Sequence, residues 1–214
     1  PADLALVAIG VRPNVRLAER TGIRLGAGKA ISVDSQMRTN FEGVFAAGDC
    51  ADAVHQVTGD KVYIPLGSTA NKQGRVAGSN AAGMACTFEG VAGTAVVKVF
   101  DLEVARTGLT AREARSRGME VEVSSVKASD HAGYYPGASD LHVQLVVERQ
   151  SRRLLGGQLI GAKGAAKRVD VLAAALYGKM SVDDLINVDY SYAPPYAMAL
   201  DATLVAANVI GKCR

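Results

Sequence analysis

The segment Val44-Phe-Ala-Ala-Gly-Asp49 places an acidic residue directly after a short apolar run. The run predicts a strand, and in open α/β folds ligands bind at the carboxyl ends of such strands. Gly48 would let a ligand approach the backbone closely, and the Asp49 carboxylate would accept hydrogen bonds from sugar or sugar-alcohol hydroxyls. The alternative interpretation is a turn at the end of a strand, with Asp49 as its cap.

A second segment of interest, Ile64-Pro-Leu-Gly-Ser-Thr-Ala70, precedes a helix of small residues predicted around residues 68 to 83. Ser68 or Thr69 is the predicted N-cap. A helix N-terminus presents free N–H groups and a partial positive charge, which suit a negatively charged ligand. A tightly packed structural helix is the alternative interpretation.

Tyrosines cluster in two short motifs, His131-Ala-Gly-Tyr-Tyr-Pro-Gly137 and Tyr190-Ser-Tyr-Ala-Pro-Pro-Tyr196. A phenol has an ordinary pKa of ~10 and is therefore a neutral hydrogen-bond donor at pH 7. Such a donor is suited to stabilising negative charge on a substrate or on a leaving group. The alternative is that these tyrosines are packing anchors in the core of an interface.

Composition excludes several classes of function. Basic residues outnumber acidic ones only slightly, 24 to 21, so we expect no dedicated nucleic-acid binding. The three cysteines, Cys50, Cys86 and Cys213, form no CxxC pair, so we predict neither a metal site nor a thioredoxin-like motif. Few cysteines favour a cytoplasmic location, and no apolar run is long enough to predict a membrane span.

The residues Leu4-Ala-Leu-Val-Ala-Ile9 predict a buried central strand near the start of the sequence. Such a strand needs hydrogen-bonded neighbours, and no upstream residues supply them. We therefore expect the sequence to be part of a longer protein.

The remaining pattern predicts alternating strands and helices, with a domain boundary near residues 90–93. Thr110 opens a capping box for a helix that stops at Gly118, and Ser181 caps another helix. The other predicted helices cover residues 168–177 and 201–210. Strands are predicted at residues 95–100, 120–126, 141–147 and 154–160, the last two as a hairpin.

Two segments of the sequence together resemble the pyridine nucleotide–disulfide oxidoreductase family. The segment Ala8-Ile-Gly-Val-Arg-Pro-Asn14 resembles the end of its NAD(P)H domain, and Val44-Phe-Ala-Ala-Gly-Asp-Cys50 resembles its second FAD motif. The resemblance covers essentially the whole chain and implies FAD with NADH or NADPH as cofactors. Asp49 would then bind the ribityl and phosphate region of the flavin.

In the same family, the segment that corresponds to residues 64–75 packs its backbone against the flavin ring. The resemblance therefore implies a set of cofactor-binding residues: Gly48, Asp49, Pro65, Leu66, Gly67, Thr69 and Ala70.

The two tyrosine motifs resemble the coenzyme A-disulfide reductase branch, which includes coenzyme A persulfide reductases and many NADH oxidases. In that branch one tyrosine from each motif reaches across the dimer interface. The resemblance assigns this catalytic role to Tyr134 or Tyr135, and to Tyr192. The branch also uses a single catalytic cysteine in an N-terminal FAD segment that these 214 residues lack, so we expect the chain alone to be inactive.

The expected fold combines an α/β part with an α+β part. Residues 1–30 would end an NAD(P)H-binding domain, residues 31–93 would form the C-terminal half of an FAD-binding domain, and residues 94–214 would form a dimerisation domain with a mainly antiparallel sheet flanked by helices. The expected function is reduction of coenzyme A disulfide, a persulfide or a related sulfur substrate by a homodimer. Reduction of dioxygen by an NADH oxidase and a non-catalytic dimerisation module are the alternatives.

Charged residues near the tyrosine motifs leave two interpretations open. Lys163, Lys167 and Arg168 would either contact a phosphate of a coenzyme A-type substrate or form a solvated basic helix end. His131 would be either a site residue or a structural histidine.

Overall fold

The computed structural model describes residues 1–211, which divide into two compact units. The amino-terminal unit comprises Pro1–His55 and Gly59–Val91. The carboxy-terminal unit comprises Gln56–Thr58 and the described residues from Ala92 onward. Within the described residues, no helix has both the length and the apolar character needed to cross a membrane.

The amino-terminal unit contains two α-helices and one small hairpin. Helix α1 spans Arg16–Thr21 and ends at Gly22. Strands β1 (Ala53–Val54) and β2 (Lys61–Val62) pair antiparallel, and helix α2 follows over Gly67–Ala81. The buried apolar residues of this unit form one cluster: Val15, Ala18, Ile31, Val33, Met37, Ala46, Ala51, Ala53, Phe88 and Val91.

Two predicted strands do not form in this unit. Residues 4–9 belong neither to a sheet nor to a bridge, and their large apolar side chains are exposed. Residues 44–47 form only a single antiparallel bridge, between Phe45 and Arg38. Both predictions were wrong because an apolar run becomes a strand only where another segment pairs with it along several residues, and no described segment does so here.

The carboxy-terminal unit is built on a five-stranded antiparallel sheet with the strand order β3-β4-β7-β6-β5. The strands are β3 (Ala95–Val99), β4 (Leu102–Gly108), β5 (Val121–Ser129), β6 (Asp140–Glu148) and β7 (Leu154–Gly161). The pairing of β6 with β7 confirms the predicted hairpin. Strand β4 was not predicted.

Four helices accompany this sheet: α3 (Ala111–Ser116), α4 (Ala165–Tyr177), α5 (Val182–Ile186) and α6 (Ala202–Gly211). Helix α4 packs against β4 and β7, whereas α6 packs against β5, β6 and α5. The core lies between sheet and helices and includes the fully buried residues Leu141, Leu145, Leu154, Leu159, Leu172, Leu176 and Leu185. The predicted antiparallel sheet flanked by helices is thereby confirmed.

The capping box predicted at Thr110 is present, and the cap predicted at Ser181 is also a capping box. The Glu113 backbone N–H donates to the Thr110 hydroxyl at 3.2 Å, and the Thr110 N–H donates to the Glu113 carboxylate at 2.7 Å. Ser181 and Asp184 make the same reciprocal pair at 3.0 and 2.8 Å. Each box satisfies N–H groups that the first turn of a helix leaves without a partner.

Gly108 ends β4 at a point where the backbone of β7 comes very close. Its φ is +62°, and a Cβ there would lie 2.2 Å from the Leu155 carbonyl oxygen. Gly118, just after the end of α3, has a similar φ of +75° but nothing within 4 Å of its missing Cβ. The two glycines therefore separate the effect of backbone conformation from the effect of crowding.

Replacing each of these glycines with alanine should give unequal losses of stability. We expect Gly118→Ala to cost about 1 kcal/mol of unfolding free energy, from the left-handed conformation alone. Gly108→Ala should cost about 1–3 kcal/mol more, because strand β7 must move. Urea unfolding followed by circular dichroism measures both, and equal losses would contradict the crowding argument.

Candidate functional site

Gly48 lies where the predicted FAD motif meets helix α2. Its φ is +79°, and a Cβ at this position would lie 3.4 Å from the Cβ of Ala70. The Gly48 N–H donates to the side-chain oxygen of Gln73 at 2.8 Å. The structure thus brings two of the predicted cofactor-binding residues, Gly48 and Ala70, side by side.

Gln73 ties this backbone to the helix. Its side chain is fully buried, and its amide nitrogen donates to the Asp52 carbonyl at 3.1 Å while its oxygen accepts from Gly48. Sequence reasoning missed Gln73. The available signal was a long amide in the first two turns of a helix that otherwise consists largely of small residues.

Helix α2 begins at Gly67. Its N-cap residue is Leu66, which has an extended backbone and makes no capping hydrogen bond through its side chain. The prediction of Ser68 or Thr69 as N-cap was therefore wrong. The Ala70 N–H already donates to the Leu66 carbonyl at 2.9 Å, so the helix starts earlier and both hydroxyl residues lie inside its first turn. Among the described residues, the N–H groups of residues 67–69 have no hydrogen-bond acceptor, which leaves them available to a ligand.

The other predicted cofactor-binding residues surround this helix start. Pro65 and Leu66 are half-buried, Thr69 is buried, and space is open where a Cβ of Gly67 would lie. Asp49 is exposed, and its carbonyl accepts a hydrogen bond from the Tyr63 hydroxyl at 3.0 Å. Burial, followed by the negative charges of Asp49 and Cys50, raises the pKa of Tyr63.

The segment below Gly48 is held by a buried acid. Asp52 is fully buried, and its Oδ1 lies 2.8 Å from the Lys61 ammonium and accepts the Val33 N–H at 3.2 Å. Lys61 also donates to the Val33 carbonyl. These bonds join β2 to the segment around Val33 and fix the backbone that Gln73 contacts.

The carboxy-terminal unit brings two of the three predicted catalytic tyrosines together. A hydrogen bond to Tyr192 raises the pKa of Tyr134, and the two side chains are 78% and 52% exposed. Tyr135 instead points its ring at His131, with a centroid distance of 5.8 Å and an interplanar angle of 73°. The structure therefore pairs Tyr134, rather than Tyr135, with Tyr192.

The two loops that carry these tyrosines are joined through their backbones. We call residues 131–137 the His131 loop and residues 190–196 the Tyr190 loop. The Ala132 N–H donates to the Pro194 carbonyl at 3.2 Å. The Arg168 guanidinium donates from Nη2 to the Asp130 carbonyl at 2.7 Å and to the Tyr196 carbonyl at 3.4 Å.

Arg168 is not a solvated cation. Its Nε lies 2.6 Å from Asp201 Oδ2, and the two side chains are only 12% and 5% exposed. The alternative of a solvated helix end was wrong for Arg168, since its charge is paired with Asp201 inside the unit, whereas the phosphate contact stays a prediction. Lys163 and Lys167 are exposed, and Lys167 pairs with Asp170 at 3.4 Å.

His131 is buried beside Asp130. The Asp130 Oδ1 lies 3.0 Å from His131 Nδ1 and accepts the Ser139 N–H at 2.7 Å, while Oδ2 accepts the Ser139 hydroxyl at 3.1 Å. Burial alone would raise the pKa of Asp130, but hydrogen bonds from Ser139 and His131 outweigh it and lower that pKa. These contacts close the His131 loop and favour a structural role for His131.

The two cysteines within residues 1–211 do not form a disulfide. Cys50 and Cys86 are free thiols, and Cys50 Sγ lies 3.4 Å from the Ala47 carbonyl oxygen. Cys213 lies outside the described residues. Within residues 1–211 no group of His, Cys, Asp or Glu side chains is arranged to hold a metal ion.

Comparison with known protein families decides the assignment. The pyridine nucleotide-disulphide oxidoreductase dimerisation domain matches residues 94–203, and a second profile, pyridine nucleotide-disulphide oxidoreductase, matches residues 1–74. This chain belongs to the pyridine nucleotide-disulphide oxidoreductase family. The family uses FAD with NADH or NADPH, and the resemblance drawn from the sequence motifs is confirmed.

Three curated members of the family match nearly the whole chain. The NAD(P)H sulfur oxidoreductase (CoA-dependent) of Pyrococcus furiosus is 42% identical over 98% of this chain and 47% of its own length. The NADH oxidase of Methanocaldococcus jannaschii is 36% identical over 96% of this chain and 46% of its own. A coenzyme A disulfide reductase of Staphylococcus epidermidis is 31% identical over 98% and 47%.

A solved structure of a family member has the same fold. The NAD-dependent persulfide reductase from A. fulgidus superimposes with a TM-score of 0.95 at 43% identity, over 99% of this chain and 39% of that protein. The chain spans about half the length of the curated relatives that it matches.

The Tyr134–Tyr192 hydrogen bond predicts a measurable change in phenol ionisation. Replacing Tyr192 with Phe removes the bond, so the pKa of Tyr134 should fall back toward the ordinary value of ~10. A pH titration of the ¹³Cζ resonance of Tyr134, identified by its loss in Tyr134→Phe, measures this shift.

The matched control is Tyr196→Phe, an exposed tyrosine in the same loop. It should leave the Tyr134 titration unchanged. Equal titration of Tyr134 in the parent chain and in Tyr192→Phe would contradict the pairing.

Proposed function

We propose that this chain forms the dimerising part and one half of the FAD site of an NAD(P)H oxidoreductase that reduces coenzyme A disulfide, a coenzyme A persulfide or a related sulfur substrate. The observation that carries the proposal is the exposed Tyr134–Tyr192 pair. Support comes from the relatives, whose names include a CoA-dependent sulfur oxidoreductase and a coenzyme A disulfide reductase.

The proposed domain limits follow the sequence expectation. Residues 1–30 would end the NAD(P)H-binding domain, residues 31–93 would form the C-terminal half of the FAD domain, and residues 94–214 would form the dimerisation domain. The complete enzyme would be a cytoplasmic homodimer, in keeping with the low cysteine content.

The residues around the start of helix α2 fit FAD. Three N–H groups that have no acceptor within residues 1–211 and the positive end of a 15-residue helix suit a negatively charged, hydrogen-bond-accepting ring. Gly48 and Gly67 leave the backbone approachable, and the Asp49 carboxylate is exposed to accept bonds from hydroxyl groups. When bound, FAD supplies the capacity to accept a hydride from NAD(P)H.

The tyrosine pair supplies a directed hydrogen-bond donor. A hydrogen bond that raises the pKa of Tyr134 is one in which its hydroxyl donates to the Tyr192 oxygen. The Tyr192 O–H then remains free to donate to the sulfur of a thiolate or thiol leaving group. Because both side chains are exposed on their own unit, we place this contact at the active site of the partner subunit.

An NADH oxidase that reduces dioxygen is the second candidate, favoured by the M. jannaschii relative. A small molecule such as dioxygen has no thiol leaving group, so the tyrosines would not be needed for its reduction. A non-catalytic dimerisation module is the third candidate, and absorbance near ~450 nm from bound flavin would argue against it.

The decisive experiment adds the part of the enzyme that the relatives have and that this chain does not cover. The chain is fused to the unmatched portion of the P. furiosus relative, and the chimera is purified with FAD. NADH and NADPH oxidation is then measured with coenzyme A disulfide, coenzyme A persulfide or dioxygen as acceptor. NAD(P)H-dependent turnover by the 214-residue chain alone would refute the proposed division of labour.

In this chimera, Tyr134→Phe and Tyr192→Phe should each lower kcat for the sulfur substrate about 100-fold, the usual scale for losing a positioned proton donor. Turnover with dioxygen should stay unchanged. Tyr177→Phe, an exposed tyrosine on α4, is the matched control and should have no effect. Sulfur-dependent turnover that is insensitive to both tyrosines would eliminate their proposed role.

Two glycines of α2 test the flavin site. Gly67 and Gly74 are both exposed, and at either one an added Cβ would have no atom within 4 Å. Gly67→Leu should therefore fold but raise the FAD dissociation constant at least about tenfold, equivalent to ~1.4 kcal/mol, by filling the space at the helix start. Gly74→Leu should bind FAD normally. Equal affinities in an absorbance titration would mean that flavin does not contact this end of the helix.

A further inference from the structure

Arg168 contacts four separate residues through its guanidinium: Asp201, Asp130, Tyr196 and Gly164. Its Nε is paired with Asp201 Oδ2 at 2.6 Å, and its Nη2 donates to two backbone carbonyls, those of Asp130 and Tyr196. Its Nη1 also lies 3.4 Å from the Gly164 carbonyl oxygen. With its side chain 12% exposed, the guanidinium is enclosed by this chain's own acceptors.

The two carbonyls lie at the edges of the tyrosine loops. Asp130 directly precedes the His131 loop, and Tyr196 ends the Tyr190 loop. Neither loop belongs to a helix or strand, so no ladder of backbone hydrogen bonds sets the distance between Tyr134 and Tyr192. The guanidinium and the Ala132–Pro194 hydrogen bond are direct connections between the two loops.

Asp201, the carboxylate that pairs with the guanidinium, is itself held by Thr203. Asp201 Oδ1 accepts the Thr203 N–H at 2.9 Å and the Thr203 hydroxyl at 2.7 Å, which fixes the carboxylate at the start of α6. Arg168 lies in α4, which packs on β4 and β7. The planar fork of arginine can direct several N–H groups at once, whereas lysine presents a compact charge. The Arg168 guanidinium thus links both tyrosine loops to helix α4, and through Asp201 to the start of helix α6.

We infer that Arg168 is a positioning residue that sets how the loops of Tyr134 and Tyr192 meet, because it holds the backbones of both loops against Asp201. The inference rests on the proposed function for its catalytic meaning. The geometric claim concerns this chain alone and is tested without turnover.

The test is the ¹³Cζ titration of Tyr134 in the 214-residue chain, from about pH 8 to about pH 12. Arg168→Met and Arg168→Lys should both move the Tyr134 pKa down to the value found in Tyr192→Phe. The lysine variant keeps a positive charge beside Asp201, so it carries the test whether or not the methionine variant folds. Circular dichroism checks that the fold is retained.

Lys167→Met is the matched control. Lys167 is adjacent to Arg168 and equally charged, but it is 91% exposed and pairs only with Asp170 among the contacts described. It should leave the Tyr134 titration unchanged. A folded Arg168→Lys chain in which Tyr134 titrates as in the parent would overturn the inference.

Turnover of the chimera separates this inference from the proposed function. If Arg168→Lys shifts the Tyr134 titration and lowers kcat for the sulfur substrate, with KM little changed, both stand. If the titration shifts while sulfur turnover does not change, Arg168 positions the tyrosines as inferred, and the proposed role of the tyrosines fails.

Discussion

The arrangement of the His131 loop and the Tyr190 loop depends on the buried ion pair between Arg168 and Asp201. Burying two opposite charges costs desolvation energy, and the cost is recovered only when the remaining donors and acceptors are satisfied. Here they are satisfied by two loop carbonyls and by the first turn of α6. An apolar pair of the same volume could be as stable, but it could not direct hydrogen bonds to both loops.

The amino-terminal unit also has a buried polar side chain that holds two backbone groups in place. Gln73 is a single buried side chain that accepts from Gly48 and donates to the Asp52 carbonyl. Leaving either backbone group without a partner would cost about 1–3 kcal/mol. In each unit, a polar side chain of a helix therefore fixes the backbone of a segment that has little regular secondary structure of its own. Several of the predicted cofactor-binding residues and all three predicted catalytic tyrosines lie on or beside these segments.

Sequence reasoning succeeded where the determining interactions are local. The capping boxes at Thr110 and Ser181, the hairpin of β6 and β7, and helix α4 all follow from residues close together in the chain. It failed for residues 4–9 and 44–47 because strand formation depends on distant pairing partners. Arg168 was misjudged for the same reason: Asp201, 33 positions away, cannot be recognised as its partner from helix composition. The pairing of Tyr134 rather than Tyr135 with Tyr192 likewise depends on how two distant loops meet.

The anchoring of the tyrosine loops through main-chain carbonyls has a consequence for how such a site can evolve. Every residue type supplies a carbonyl oxygen, so the attachment to Arg168 does not depend on which side chains the loops carry. Substitutions within residues 131–137 and 190–196 can therefore alter the chemistry presented at the surface while the frame stays in place. Because the loops are anchored through their backbones, point mutations in them can adapt the same fold to different electron acceptors. The contacts with Arg168 that support the loops need not change.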